Sequence, residues 1–294
     1  MKSSSDRTNS ELIIPEITSD QAIDKVGGCK RFQIIALIVT IFTFSSASMI
    51  SYGLPFLENK SEISITCTYQ DSSSHECTAD QACHDPQVVS YKYSEDPSKG
   101  LVNWVVDFNL ACYSDGDFSN LSTTYFAGYC LACAIFLPLS DCVGRRPVII
   151  VGLIIHLISN VLIFTVGSWP FLFVYNAAIG LRSPMAGQTA FLLLIEFTGI
   201  KWRSLFTALF NSIDGSLYLW ISLGYKYIGD WRTWFYMNEA IVAVALLFLI
   251  FFYPESPRFY TVHRKYDRAR VQYNRVARVN HKPDISDKLE GEVV

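Results

Sequence analysis

Six apolar segments constrain this 294-residue chain more than any other feature of its sequence. They cover residues 32–57, 119–140, 147–167, 170–195, 203–224 and 232–253. Each is longer than the roughly 20 residues that a helix needs to cross a ~30 Å hydrocarbon core at 1.5 Å per residue. The sequence therefore predicts an all-α membrane protein with six transmembrane helices, surrounded by the lipid bilayer.

Charged residues lie mainly outside these segments and make up only 17% of the chain. An average soluble domain has roughly 25%. The net charge is −3 and no basic patch with interleaved aromatic residues occurs, so we do not expect nucleic acid as a partner. The polar stretch from Met1 to Lys30 is unlike a cleavable signal peptide, and the first apolar segment is expected to act as an uncleaved anchor.

The positions of lysine and arginine predict the orientation in the membrane, because these residues favour the cytoplasmic side. The basic residues that flank the expected cytoplasmic ends are Lys30, Arg31, Arg145, Arg146, Lys201, Arg203 and the run from Arg258 to Arg278. The sequence thus predicts a cytoplasmic tail (1–31), helix one (32–57), an acidic extracellular loop (58–118), helices two to six (119–253) and a cytoplasmic linker with a basic helix (254–294). Both termini are expected in the cytoplasm.

The predicted extracellular loop holds four of the eight cysteines, which are Cys67, Cys77, Cys83 and Cys112. An even number of cysteines on the oxidising side of a membrane predicts two disulfides, and four cysteines allow three pairings. Five residues separate Cys77 from Cys83, which is not a zinc-site spacing. We therefore expect no metal site and no other cofactor.

A short motif joins the second and third apolar segments over residues 137–146, with the sequence LPLSDCVGRR. Gly144 permits a tight turn, Asp141 can cap a helix or pair with an arginine, and Arg145 and Arg146 favour the cytoplasmic side. The motif resembles the G-x-x-x-D-x-x-G-R-R/K loop of the major facilitator superfamily, with Leu137 in place of the first glycine.

Four further features resemble the organic cation, organic anion and carnitine transporter branch of that superfamily. They are Trp104–Cys112, the pair Gly180–Ser183 and Glu196–Gly199, Asp230–Arg232, and Pro254–Phe259 followed by a basic helix. The resemblance covers about residues 30–280. It implies the N-terminal six-helix half of a twelve-helix fold that binds its substrate between two halves near the bilayer midplane.

The resemblance implies transport of small organic ions by alternating access, in the plasma membrane. The sequence has no G-x-x-x-x-G-K-S/T loop, so ion or substrate gradients would drive transport. We expect a truncated form or an N-terminal half, with a second half or another copy as a possible partner. The alternative is a non-transporting half-size subunit or receptor that acts through its extracellular loop or by pairing. Since H-E-x-x-H and G-x-S-x-G are absent, we expect no catalytic residues and no enzymatic activity.

Arg182 and Asp214 are charged residues within apolar segments, at similar depths from the predicted cytoplasmic ends. Because charges in a membrane interior need a partner or a cavity, we predict an Arg182–Asp214 ion pair or a shared water-filled cavity. His156 is expected to be packed and neutral rather than part of a proton relay. By resemblance, the substrate-cavity candidates are Ser45, Ser48, Met49, Tyr125, Tyr129, Arg182, Gln188, Phe191, Asn211, Asp214 and Tyr218.

A second group of charged residues lies at the predicted cytoplasmic ends of the helices. Its charged members are Asp141, Arg145, Arg146, Glu196, Arg203, Glu255 and Arg258. Gly144 of the motif is included with them because it lies in the same loop. The resemblance implies an inner charge network that holds two transporter halves together in one state and breaks in another. We therefore expect these residues to serve gating rather than substrate binding.

Overall fold

The computed structural model describes residues 16–292, and most of them are helical. The first fifteen residues of the predicted tail lie outside the described range. The helices are α1 (Ser19–Lys25), α2 (Arg31–Leu57), α3 (Ala79–His84), α4 (Trp104–Asp107), α5 (Asp115–Val143), α6 (Arg145–Val166), α7 (Trp169–Arg182), α8 (Thr189–Glu196), α9 (Ile200–Ile228), α10 (Trp231–Phe251), α11 (Pro257–Val262) and α12 (Tyr266–Val279). A π-helical segment, Ser183–Gln188, makes α7 and α8 one continuous helix.

Five helices within residues 16–292 are long and apolar enough to cross a membrane. They are α2, α5, α6, the continuous helix Trp169–Glu196 and α10. The fifth apolar segment forms α9, a helix of 29 residues, but it also carries Lys201, Arg203, Asp214 and Lys226. Its more polar sequence keeps it out of this group. The structure thus supports a multi-pass membrane protein, while the sixth crossing remains a prediction.

Close contact between α5 and α7 sets the position of the central residues. A Cβ on Gly180 would overlap the carbonyl oxygen of Tyr125, and a Cβ on Gly128 would overlap that of Ala177. Small residues let membrane helices approach at backbone distance. This contact brings Tyr125 beside the π-helical segment, where its hydroxyl lies 3.2 Å from Ser183 Oγ.

Residues 58–118, named here the disulfide domain, contain a three-stranded antiparallel sheet. The sheet consists of β2 (Ile65–Tyr69), β3 (Ser74–Cys77) and β4 (Val88–Tyr93), in the order β3-β2-β4. Strand β1 (Glu16–Ile17) is not part of this sheet. Disulfides join Cys67 to Cys77 and Cys83 to Cys112, which selects one of the three possible pairings. Two disulfides are present as predicted; the side of the membrane on which they lie remains a prediction.

The disulfide domain is attached to the start of α10. Trp104 is fully buried and meets the Trp231 ring edge-on at 6.2 Å. Asp107 accepts hydrogen bonds from Trp231 Nε1 at 2.8 Å and from Arg232 Nη2 at 2.7 Å. Burial raises the pKa of Asp107, and these two donors oppose the rise. The contacts give the Asp230–Arg232 motif a structural role in holding the domain on the helices.

The opposite end of the bundle carries the described part of the tail and the linker, which pack together. Strand β1 pairs in parallel with β5 (Lys288–Leu289). Asn280 Oδ1 accepts from the Phe32 backbone N–H at 2.9 Å, and Gln33 Nε2 donates to the Phe197 carbonyl oxygen at 2.9 Å. The two predicted terminal regions therefore form one assembly across the ends of α2, α8 and α9.

Candidate functional site

Asp214 of α9 forms the centre of a polar group that we name the cavity cluster, with Ser48 and Tyr52 of α2. Ser48 Oγ donates to Asp214 Oδ1 at 2.7 Å, and Tyr52 OH donates to Asp214 Oδ2 at 3.1 Å. The two donors are one helical turn apart, so they face the same neighbouring helix. Both partners are neutral, which leaves the charge of the carboxylate without a counter-charge in this cluster.

A cavity of about 150 Å³ lies beside the cavity cluster. It is lined by Phe44, Ala47, Ser48, Ser51 and Tyr52 of α2, Tyr125 and Tyr129 of α5, Ser183 and Gln188 of the π-helical segment, and Asp214 of α9. Gln188 Nε2 donates to Tyr129 OH at 3.4 Å. Of the eleven sequence-predicted residues, the structure brings Ser48, Tyr125, Tyr129, Gln188 and Asp214 together here.

The other predicted cavity residues lie elsewhere. Ser45 is buried, Met49 faces a separate small cavity, and Phe191 packs on Phe210 with ring centroids 4.7 Å apart. Asn211 is exposed on α9, and Tyr218 is 53% exposed although its ring meets the Tyr52 ring edge-on at 6.0 Å. Sequence reasoning missed Phe44, Ala47, Ser51, Tyr52 and Ser183; the one-turn spacing from Ser48 to Tyr52 was the available signal.

The predicted pairing of Arg182 with Asp214 is wrong. Arg182 is fully buried, and it donates to His156 Nδ1 at 2.8 Å, to Ser46 Oγ at 2.5 Å and to the Thr43 carbonyl oxygen at 3.3 Å. Arg182 also does not line the cavity beside Asp214, so the alternative of a shared cavity fails as well. The physical reason is helix rotation: similar depth does not make two side chains face one another.

Arg182 belongs instead to a group that we name the buried cluster, with His156 of α6 and Glu239 of α10. His156 is fully buried, and its Nε2 lies 3.1 Å from Glu239 Oε1. Asn160 Nδ2 donates to the same carboxylate oxygen, and Tyr175 OH donates to Asn160 Oδ1 at 2.7 Å. Sequence reasoning missed Glu239, although an acidic residue inside an apolar segment carries the same signal as Asp214.

The motif loop and the residues after α10 meet at the end of the bundle opposite the disulfide domain. Glu255 accepts from the backbone N–H groups of Arg145 and Arg146, both at 3.1 Å, and so binds the N-terminus of α6. Burial raises the pKa of Glu255, although these donors and the N–H of Ser256 lower it. Gly144 has φ +105°, and a Cβ there would lie 2.5 Å from Glu255 Oε2, which explains the glycine.

Arg145 connects the remaining members of this charge network. Its Nη2 lies 2.8 Å from Glu196 Oε1 and 3.0 Å from Asp141 Oδ1. Arg146 caps α10 by donating to the carbonyl oxygens of Leu249 and Ile250. Two predicted members differ. Arg203 pairs with Asp20 of α1 at 2.5 Å, and Arg258 takes no direct part in these contacts within the described range.

Several apolar helices long enough to cross a membrane, packed around a cavity with polar side chains, support an integral multi-pass membrane protein. The sequence model of the sugar (and other) transporter family matches residues 61–293. The chain therefore belongs to this family, which confirms the resemblance to the major facilitator superfamily.

Curated relatives are consistent with the organic cation transporter branch. The chain is 28% identical over 211 residues to an organic cation transporter-like protein of Drosophila melanogaster, covering 70% of this chain and 35% of that protein. It is 26% identical over 212 residues to solute carrier family 22 member 7 of Bos taurus, covering 71% and 37%. The chain spans from 28% to 52% of the length of the curated relatives it matches.

Proposed function

We propose that this chain is the N-terminal half of a plasma-membrane transporter that moves small organic ions by alternating access, with cations as the preferred class. The observation that carries the proposal is the cavity beside Asp214, where a carboxylate with only neutral partners meets a set of aromatic rings. Membership of a transporter family supports membrane transport in general. Two relatives from Drosophila melanogaster, an organic cation transporter-like protein and an organic cation transporter protein, support the ion class.

The chemistry of the cavity favours a cation over an anion. The rings of Phe44, Tyr52, Tyr125 and Tyr129 line it, and aromatic faces attract organic cations. Asp214 adds a negative charge whose hydrogen-bond donors are hydroxyls rather than cationic groups. Because Arg182 does not line this cavity, its positive charge does not offset that preference locally.

The same proposal explains the polar sequence of α9 as the sixth transmembrane crossing. Asp214 turns toward α2 and the cavity, which gives a charged residue in a membrane helix a polar environment. With α9 crossing, both termini lie in the cytoplasm and the disulfide domain lies outside. The contacts among Arg145, Glu196 and Glu255 then belong to the cytoplasmic gate.

The size of the cavity supports a contribution by a second half or another copy. Sites for drug-sized molecules enclose about 300–1,000 Å³, whereas this cavity has about 150 Å³. In the proposed arrangement, the present chain supplies one wall with its charge and aromatic rings, and the partner closes the opposite side.

Equilibrium binding of labelled tetraethylammonium to the purified chain in lipid nanodiscs tests this proposal, with labelled benzoate as the anionic comparison. We expect the cation to bind, and Asp214→Asn to weaken it by about tenfold or more, which corresponds to ~1.4 kcal/mol. The matched control Asp284→Asn, a charge change on the exposed linker, should leave binding unchanged.

Uptake into proteoliposomes completes the test. Binding without uptake by the chain alone supports a half that needs a partner, and saturable uptake supports an assembly of copies. Preference for benzoate, or equal cation binding by wild type and Asp214→Asn, contradicts the proposed site. Absence of binding by both ions favours the alternative of a non-transporting subunit or receptor.

A further inference from the structure

The buried cluster is a second ionisable site that the proposed substrate cavity does not use. Arg182 of α7, His156 of α6 and Glu239 of α10 form a line of contacts through the interior of the bundle. The side chains of Arg182 and His156 have no exposed surface, whereas that of Glu239 is 20% exposed. Of these three ionisable groups, only Glu239 has any exposed side-chain surface.

The hydrogen-bond chemistry defines the tautomer of His156. A guanidinium can only donate, so His156 Nδ1 accepts from Arg182 Nε and carries no proton. A neutral imidazole then has its proton on Nε2, which lies 3.1 Å from Glu239 Oε1 and donates to it. Asn238 Nδ2, 3.3 Å from the same nitrogen, donates to the Ser46 carbonyl oxygen at 3.1 Å.

The negative charge of the Glu239 carboxylate balances the positive charge of Arg182, and the His156 imidazole lies between them and contacts both. The other acceptors of Arg182, which are the Thr43 carbonyl oxygen and Ser46 Oγ, are neutral. A buried cation without a counter-charge is strongly unfavourable. Further titratable groups that face Arg182 are Tyr175 from α7 and Tyr125 from α5, while α2 contributes only neutral partners. The net charge of the cluster is therefore decided at Glu239.

The buried cluster is connected to the substrate cavity by two short paths. Ser183, the residue after Arg182, lines the cavity and contacts Tyr125. On α2, Ser46 accepts from Arg182, and Ser48, two residues later, donates to Asp214. A displacement of Arg182 would therefore move side chains in the cavity wall.

We propose that Glu239, linked through His156 to Arg182, is a proton-binding site that couples protonation to the transport cycle; the coupling rests on the proposed function, and the proton site does not. On acidification a hydronium ion transfers its proton to the Glu239 carboxylate: one O–H bond of hydronium breaks, the O–H bond of the carboxylic acid forms, and water leaves. The cluster then changes from neutral to a net charge of +1. Arg182 loses its counter-charge, so the contacts of α7 with α6 and α2 become less favourable and a second arrangement of the helices gains population.

Infrared spectroscopy of the chain in lipid nanodiscs during a pH titration tests the proton site directly. We expect one carboxylic acid band that grows on acidification in wild type to be missing in Glu239→Gln, while the bands of Glu58 and Glu255, whose pKa values burial also raises, remain. The matched control Asp214→Asn removes the other carboxyl inside a predicted membrane segment and should retain the band. If the band persists in Glu239→Gln, or vanishes in Asp214→Asn alone, the assignment is overturned.

A second variant keeps the proposal testable if Glu239→Gln does not fold. His156→Gln preserves the carboxylate but interrupts the path to Arg182, so the pH at which the band appears should shift upward as the acid loses the influence of the positive charge. An unchanged position of the band would contradict the link between Glu239 and Arg182 through His156.

The pH dependence of cation binding to the chain in lipid nanodiscs tests the coupling. Cation affinity of wild type should change across the pH range in which the band appears, and Glu239→Gln should lose that dependence. An unaltered dependence in this variant overturns the coupling. If cation binding and uptake are both absent while the infrared band is present, the proton site stands and the proposed transport function fails, so the two failures are distinguishable.

Discussion

The two polar clusters lie in one bundle and are built in opposite ways. In the cavity cluster, Asp214 accepts from two hydroxyls of α2 and borders a cavity. In the buried cluster, Arg182 is enclosed by α2, α6 and α7 and reaches its counter-charge through His156. The difference shows that a charged side chain in this helical bundle has two kinds of environment: it can border a cavity, or it can be enclosed by fixed hydrogen-bond partners.

The largest expected effect comes from removing Arg182. Arg182→Met leaves Glu239 and His156 without their cationic partner, and breaking such a buried pair costs about 3–5 kcal/mol. The yield of folded protein and its thermal unfolding in detergent measure the loss. Adding Glu239→Gln to Arg182→Met should recover part of it, whereas adding Asp214→Asn should not. If Asp214→Asn recovers stability instead, Arg182 pairs with Asp214, which would contradict the structure.

Two serines on α2 provide a matched test of the same contrast. Ser46→Ala removes an acceptor from the enclosed Arg182, and a hydrogen bond to a charged group contributes about 1.5–3 kcal/mol. Ser48→Ala removes a donor to Asp214, which can be solvated from the cavity, so its cost should be below about 1 kcal/mol. Thermal unfolding should rank Ser46→Ala as the more destabilised, and cation binding should be weakened mainly by Ser48→Ala. A reversed ranking would mean that the cavity cluster is the enclosed one.

Glu58, the residue that follows α2 and begins the disulfide domain, lies outside both clusters and serves as a reference for pH effects. Burial raises its pKa from 4.5 to about 7, against the lowering effect of Ser122, so the fold favours the protonated form. The stability that depends on protonated Glu58 is fully present below pH 4.5 and is lost as the pH rises through about 7.

Glu58→Gln should remove this dependence. Since one pKa unit corresponds to ~1.4 kcal/mol and the side chain keeps some contact with water, we expect the variant to gain about 1–2 kcal/mol over wild type above neutral pH. Thermal unfolding across the pH range measures it. Parallel pH profiles for both proteins would show that the dependence has another source.

The smallest expected effect comes from two tyrosine hydroxyls. Tyr175→Phe removes the donor to Asn160 behind Glu239, at a cost of about 1 kcal/mol in thermal unfolding. Tyr52→Phe removes a donor to Asp214 and should alter cation binding with little change in stability. If Tyr175→Phe and Tyr52→Phe change thermal unfolding and cation binding to the same extent, the two clusters do not differ in the proposed way.

Much of the architecture follows from local sequence. The apolar segments became helices, and the break between the third and fourth appears at Gly167, which has φ +39°, with Pro170 in the first turn of α7. Asp141 and Arg145 contact each other as the motif suggested. The number of cysteines predicted two disulfides, but their pairing depended on β2 and β3 lying side by side.

The composition of the cavity was harder to predict, because it depends on how each helix is rotated about its axis. Ser48 was identified on α2, but Met49 faces elsewhere and Tyr52 was missed. Sequence position defines the depth of a residue in a helix, and it leaves open which neighbouring helix the side chain meets.

The sequence by itself determined the long apolar helices, the family and the presence of charged residues within the bundle, since these depend on composition and on spacing along one segment. The tertiary structure decided the partners of those charges. Arg182, His156 and Glu239 come from three different helices, and Asp214 meets hydroxyls from a helix more than a hundred residues earlier. Such contacts arise only when helices distant in the sequence pack at particular rotations, and that packing separates a charge open to a cavity from a charge sealed inside the protein.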